Sequence, residues 1–215
     1  LLSDHAIDGK PVLPGVWGME LFGATVPGEG PVRIHGVEFA KPLKCHRGEA
    51  REATVVTDAV GKMTLESERT LRTGRVDRTT HFLGHAEALD VASLTAGESA
   101  TGRMLIHASD LACEGPRREG IYQAFFHTGV FRVLDAAPWW GPTALVATAR
   151  VNEPDLNLAA PTRTDPLTRE AMFQAAGLHA MLASGWSRSF LPAGVERADV
   201  FDHAAAGEEL AVRVR

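Results

Sequence analysis

Residues 164–185, TDPLTREAMFQAAGLHAMLASG, constrain the fold more than any other stretch. Asp165 reads as an N-cap, Pro166 stands at the first helical position, and Gly185 follows the end. Between them Leu167, Ala171, Gln174, Leu178, Met181 and Leu182 recur at three- and four-residue steps, which makes one apolar, buried face. Glu170 shares that face, one turn before Gln174. A carboxylate on a buried stripe is costly unless it has a partner or a task. Glu170 therefore reads either as half of a structural ion pair near the helix start, helped slightly by the dipole, or as a functional acid.

A second helix is expected near the front of the chain. Pro14 leads Val16, Trp17, Met19, Leu21 and Phe22, which are apolar on nearly all sides, and the turn signal VPGEG follows. Strand patterns come next at 32–39, 52–60, 62–72 and 78–86. A buried helix followed by antiparallel strands implies an α+β unit, a sheet wrapped round its helix. Small, polar and charged residues then dominate, so the chain divides into a first unit 1–87, a surface linker 88–118 and a second unit 119–215. In the second unit, 122–134 reads as a strand or loop-strand, 143–151 as a strand, and 194–201 with 208–215 as two closing strands.

Several function classes are excluded. The net charge of −5 over 215 residues argues against a nucleic-acid partner. No apolar run approaches a membrane span, no signal peptide is expected to lead the chain, and sequence ahead of the abrupt LLSDH is expected. Cys45 and Cys113 form no CxxC and read as incidental thiols, so the expected location is cytoplasmic. His81 and His85 stand four apart on a strand pattern, about 13 Å from each other, so no metal site is expected there. Trp139 and Trp140 are expected to pack or to line a tunnel.

His5 is the other candidate. A lone histidine near a turn is commonly structural, and Asp4 and Asp8 suit loops. Yet His5 precedes a constrained loop and a buried helix start, whose first amides lack intrahelical acceptors. Gly15 would let a ligand approach its amide closely, giving a base beside an oxyanion donor.

The spacing HxxxGxxxxP, here His5, Gly9 and Pro14, resembles the first motif of polyketide synthase dehydratase domains. EAMFQ at 170–174 resembles their acid-xxx-Gln motif and the active-site helix of 3-hydroxyacyl-carrier-protein dehydratases. FHTGVF at 126–131 is similar to the aromatic motif between the two. The order agrees, and the resemblance spans nearly the whole chain. Within the motifs it departs in two places: Glu170 stands where the polyketide enzymes usually carry Asp, and His127-Thr128-Gly129 replaces Tyr-Gly-Pro. These variants look more like iterative synthases, of the polyunsaturated or enediyne kind, than modular ones.

The resemblance implies a double hotdog, two antiparallel sheets each wrapped round a buried helix. It implies dehydration of a 3-hydroxyacyl thioester to the 2-enoyl thioester, with no cofactor beyond the phosphopantetheine arm of an acyl carrier protein. Partners would be that carrier and neighbouring synthase domains, with a homodimer allowed. His5 would be the base, Glu170 the acid and Gln174 its orienting partner, while Gly15, Gly9, Pro14 and His127 would shape the substrate and oxyanion site, although His127, beside Phe125 and Phe126, reads more readily as a packed core residue. Glu20 would be a relic of symmetry, since residues 152–165 hold no histidine to serve it. Keeping a glutamate of pKa near 4.3 protonated at pH 7 costs about 3.7 kcal/mol. An apolar helix face would raise it, so an elevated Glu170 pKa is expected. The alternatives are a cyclase- or isomerase-type hotdog, or a silent docking or dimerisation hotdog.

Overall fold

A computed structural model describes residues 2–45, 51–94, 113–151, 162–187 and 190–215. The first motif folds as a miniature hairpin. Strand β1 (Ala6–Ile7) pairs with β2 (Lys10–Pro11) across a two-residue loop, Asp8-Gly9. Both loop residues have positive φ, 51° and 70°, the pattern of a type I′ turn. Helix α1 (Gly15–Gly23) starts directly after it. Pro14 is its N-cap rather than its first turn, in extended conformation and with no side-chain cap.

Four strands follow: β3 (Val32–Phe39), β4 (Thr54–Thr57), β5 (Met63–Thr70) and β6 (Val76–Ala88). Helix α2 (Arg118–Ala124), β7 (Leu134–Trp140), β8 (Leu145–Arg150), α3 (Pro166–Ala183), β9 (Gly194–Val200) and β10 (Glu209–Val214) complete the order. All named strand pairs are antiparallel. One sheet runs β4-β5-β6-β3-β9 and another β10-β8-β7. Helix α1 lies against β3 and β6; α3 lies against β7, β8 and β10. Gly18 makes the first contact close, because any Cβ there would enter the Phe82 ring. The helix propensity lost at that glycine, about 1 kcal/mol, is offset by this approach.

Four expectations need correction. The expected strand or loop-strand at 122–134 begins inside helix α2 (Arg118–Ala124), which turns Ile121 and Tyr122 inward. Strand β7 was not anticipated: Pro138 within it lacks an amide proton, and the edge position of β7 together with its irregular register accommodates that. Strand β9, expected to close the second unit beside β10, instead pairs with β3 in the first sheet. Trp139 is exposed rather than packed, while Trp140 packs on the core beside Ala137 and Leu145 as expected. Most of the expected linker, 95–112, lies outside the described residues; its end is tied to β7 through Cys113–Trp140 and Arg117–Ala136 bridges.

His81 and His85 do lie on one strand, β6, and each is bonded elsewhere. The His81 ring faces the Ser67 hydroxyl at 2.8 Å and the Lys41 carbonyl at 3.2 Å. The His85 ring stacks on His35 with centroids 5.0 Å apart.

Candidate active site

The front of the chain is pinned to the middle of the second unit. The Thr128 amide donates to the Asp4 carbonyl at 3.0 Å, and the Val130 amide to the Asp4 carboxylate at 3.4 Å. Gly129, at φ 48°, lies so close to that carboxylate that a Cβ would collide with it. This clasp carries His5 toward α3. His5 is then held by the hairpin: its carbonyl accepts from the Val12 amide at 3.0 Å, and its ring Nδ1 lies 3.0 Å from the Val12 carbonyl. A carbonyl only accepts, so Nδ1 carries the hydrogen and Nε2 is left bare.

Residues His5, Gly15, His127, Glu170 and Gln174 all line one cavity of about 760 Å³. The rest of its wall is largely apolar, including Phe39, Phe82, Phe125, Phe173 and Val195, with Lys41 and Lys44 also bordering it. Gly9 and Pro14 are not among its lining residues. Gly9 makes the hairpin turn and Pro14 caps α1, so both place His5 and Gly15 and are set apart from the cavity.

One atom each of His5, His127 and Glu170 lie within 4.8 Å of one another, and all three residues are buried. His127 Nε2 is 3.1 Å from Glu170 Oε1. The Gln174 amide donates to the same oxygen at 2.9 Å and to the Phe131 carbonyl at 2.8 Å. Its orientation is set by Tyr122, whose hydroxyl accepts from the Leu134 amide and donates to Gln174 Oε1, both at 2.8 Å. Burial pushes the Tyr122 phenol up, so it stays a donor. The three residues are ligand types that could hold a transition metal. At Glu170 Oε1 the Gln174 amide donates and the His127 ring nitrogen lies at 3.1 Å, an arrangement that can also hold a proton.

Burial pulls the His5 imidazole below its ordinary 6.5, and the His127 charge adds to this against the Glu170 charge and the Val12 carbonyl. His5 is thus neutral at pH 7, as a base must be. If His5 is that base, kcat/KM is expected to fall with acidity only below pH 6.5, because the depressed value keeps Nε2 free down to it. A pH profile with its acid limb at or above 6.5 would contradict this.

Glu170 behaves differently from expectation. Burial does push its carboxyl up, but the hydrogen bond and charge of His127, the Gln174 amide and the His5 charge together outweigh it. The carboxyl lies below its ordinary value, not above it. The apolar spacing revealed the burial, but it did not reveal the imidazole opposite. His127 and Tyr122 are the residues that sequence reasoning placed least well. The one available signal was that His127 stands in the aromatic motif where the resembling family has tyrosine.

Glu20 is buried on α1, against the loop that leads into α3. Its carboxylate accepts from the amides of Arg163 at 2.7 Å and Thr164 at 2.8 Å, and from the Thr164 hydroxyl. This mirrors His5 and Glu170, with a threonine where a histidine would be needed.

Residues 116–215 match the family model described as polyketide synthase dehydratase N-terminal domain. No curated protein matches the chain by sequence. Among solved structures, the dehydratase domain from the CurF module of curacin polyketide synthase superposes with TM-score 0.72 at 16% identity, over 100% of this chain and 77% of that one. A GphF dehydratase variant gives 0.73 at 17%, covering 99% and 74%. A trans-AT dehydratase domain from Brevibacillus brevis gives 0.65 at 18%, covering 91% and 71%. Among the described residues, no helix is long and apolar enough to cross a membrane.

Proposed function

We propose, from the match of residues 116–215 to the polyketide synthase dehydratase family model and the fold shared with solved dehydratase domains, that this chain dehydrates a 3-hydroxyacyl thioester to the 2-enoyl thioester during polyketide synthesis. The acyl chain would ride on the phosphopantetheine arm of an acyl carrier protein, within a synthase in the cytoplasm. The two helices on their sheets would form a double hotdog. One observation carries the reading. A histidine from the front of the chain and a carboxyl from its rear helix meet within 4.8 Å at one largely apolar cavity.

That separation suits a 1,2-elimination, in which base and acid serve adjacent carbons. His5 Nε2 takes the proton from the carbon next to the thioester carbonyl. The Gly15 amide, in the first turn of an uncapped helix and lining the cavity, receives the carbonyl oxygen as charge builds. The Glu170 carboxyl serves the departing 3-hydroxyl. Gln174, locked by Tyr122 and Phe131, holds that carboxyl in place. Inactive mutants of the CurK dehydratase carry phenylalanine for histidine and asparagine for aspartate, the same two residue types apart from one methylene.

The test is intact mass of a carrier protein loaded with 3-hydroxyacyl chains of several lengths. Loss of one water with the native chain, and none with Glu170→Gln, is the expected result. A carrier whose mass never changes would defeat the proposal, and a product rearranged at constant mass would favour an isomerase.

A further inference from the structure

His127 makes more of its position than a pocket wall requires. Its Nε2 is 3.1 Å from Glu170 Oε1, and its Nδ1 is buried with no hydrogen-bond partner. Phe126 stacks on the ring at 4.2 Å, while Phe125 and His5 sit at 5.6 and 5.2 Å. The Gln174 amide must donate to Glu170 Oε1, because its own oxygen is taken by the Tyr122 hydroxyl. Glu170 therefore meets a fixed donor on one side and an imidazole on the other, inside an apolar box.

We propose that His127 is a third proton-handling residue of this site: it shares one proton with Glu170 along the Nε2···Oε1 contact, and the two together form the acid that serves the departing hydroxyl. The inference rests on the dehydratase reading. With the proton on the ring, the pair is imidazolium and carboxylate, and Nδ1 carries a hydrogen. With the proton on Oε1, it is neutral imidazole and carboxylic acid, the form that can donate. The downward pull on the Glu170 carboxyl agrees with a proton drawn toward the ring. A lone glutamate in so dry a place would be shifted the other way.

The step balances. The α C–H bond breaks, its proton goes to His5 Nε2, and its electron pair becomes the double bond. The C–O bond breaks with its electrons on oxygen, which takes the pair's shared proton and leaves as water. The pair is then one proton short: the Glu170 carboxylate faces the bare Nε2 of a neutral His127 whose remaining hydrogen is on Nδ1. The proton on His5 returns through that water, across the 5.2 Å between the two rings, and the site is restored. Other charged groups nearby are Asp4, bonded to Val130, and Arg132, whose guanidinium donates to the His127 carbonyl. Lys41 and Lys44 border the same cavity, and the Tyr122 phenol meets Glu170 only through Gln174.

Protein labelled with ¹⁵N-histidine tests the pair without substrate. His127, assigned by the signals missing in His127→Gln, is expected to show hydrogens on both ring nitrogens at pH 7, and on one only in Glu170→Gln. A singly protonated ring in both proteins overturns the proposal even if dehydration is observed. A mass assay that fails while the ring result holds sinks the dehydratase reading alone. In turnover, His127→Gln should lower kcat by about 10²-fold and move the alkaline limb of the kcat profile to lower pH, since the remaining proton sits on a carboxyl. A lower kcat with an unmoved limb would mark His127 as structural only. Should His127→Gln not fold, Glu170→Gln and the native protein, assigned through His127→Asn, give the same comparison.

Discussion

Replacing His5 with phenylalanine is expected to lower dehydration by about 10⁴-fold, the upper end for loss of a general base. The upper end applies because none of the other described lining residues is placed to take over. His127 Nε2 is committed to Glu170, and that carboxyl in turn holds the Gln174 amide. Lys41 and Lys44 border the cavity, and the lysine side chain is a donor without an acceptor site. Phenylalanine preserves the ring that packs at 5.1 Å from Phe126 and 5.3 Å from Phe131. It loses the Nδ1 bond to the Val12 carbonyl, worth about 1 kcal/mol, so the fold should survive. The measurement is the rate of water loss from a carrier-bound 3-hydroxyacyl chain, beside a melting curve. A variant within tenfold of the native rate would remove His5 from the mechanism.

The parts of this molecule that were legible share a cause. Local chemistry with a single solution could be read: Asp165 accepts from the Thr168 amide, Pro166 follows, and Gly185 adopts φ 63°. The buried stripe of α3 was legible because helical periodicity reports burial directly. Other features depended on partners distant in sequence. Strand β9 has the same alternating pattern whichever sheet receives it, and the choice of β3 is made by tertiary packing. Residues 118–124 form only seven residues of helix, too short for periodicity to separate from a strand. The Asp8-Gly9 pair did carry a hairpin signal, which its flanks of two residues each made easy to pass over. The ionisation of Glu170 depended on residue 127, 43 positions away, and spacing within α3 held no information about it.

A second large effect is expected at Glu20. Each helix brings one buried carboxylate to the loop that leads into the other helix: Glu170 near His5, and Glu20 at Arg163 and Thr164. At the second place the donors are two amides and a hydroxyl, none able to take a proton from carbon. Burial pulls the neighbouring Arg169 guanidinium down to about 10 against the charges of Glu20 and Asp165. Glu20→Ala would leave those donors unmet and remove the main anion facing a buried cation. Breaking such an arrangement costs about 3–5 kcal/mol. In a chain of this size that is a melting point lower by about 6–20 °C. The active cavity holds no Glu20 atom, so below the new melting point the variant should still expel water at near the native rate. Glu20→Gln, which retains one acceptor oxygen, should fall between. The opposite pattern, an undisturbed melting curve with turnover lost, would make Glu20 a working acid and the molecule a two-site enzyme.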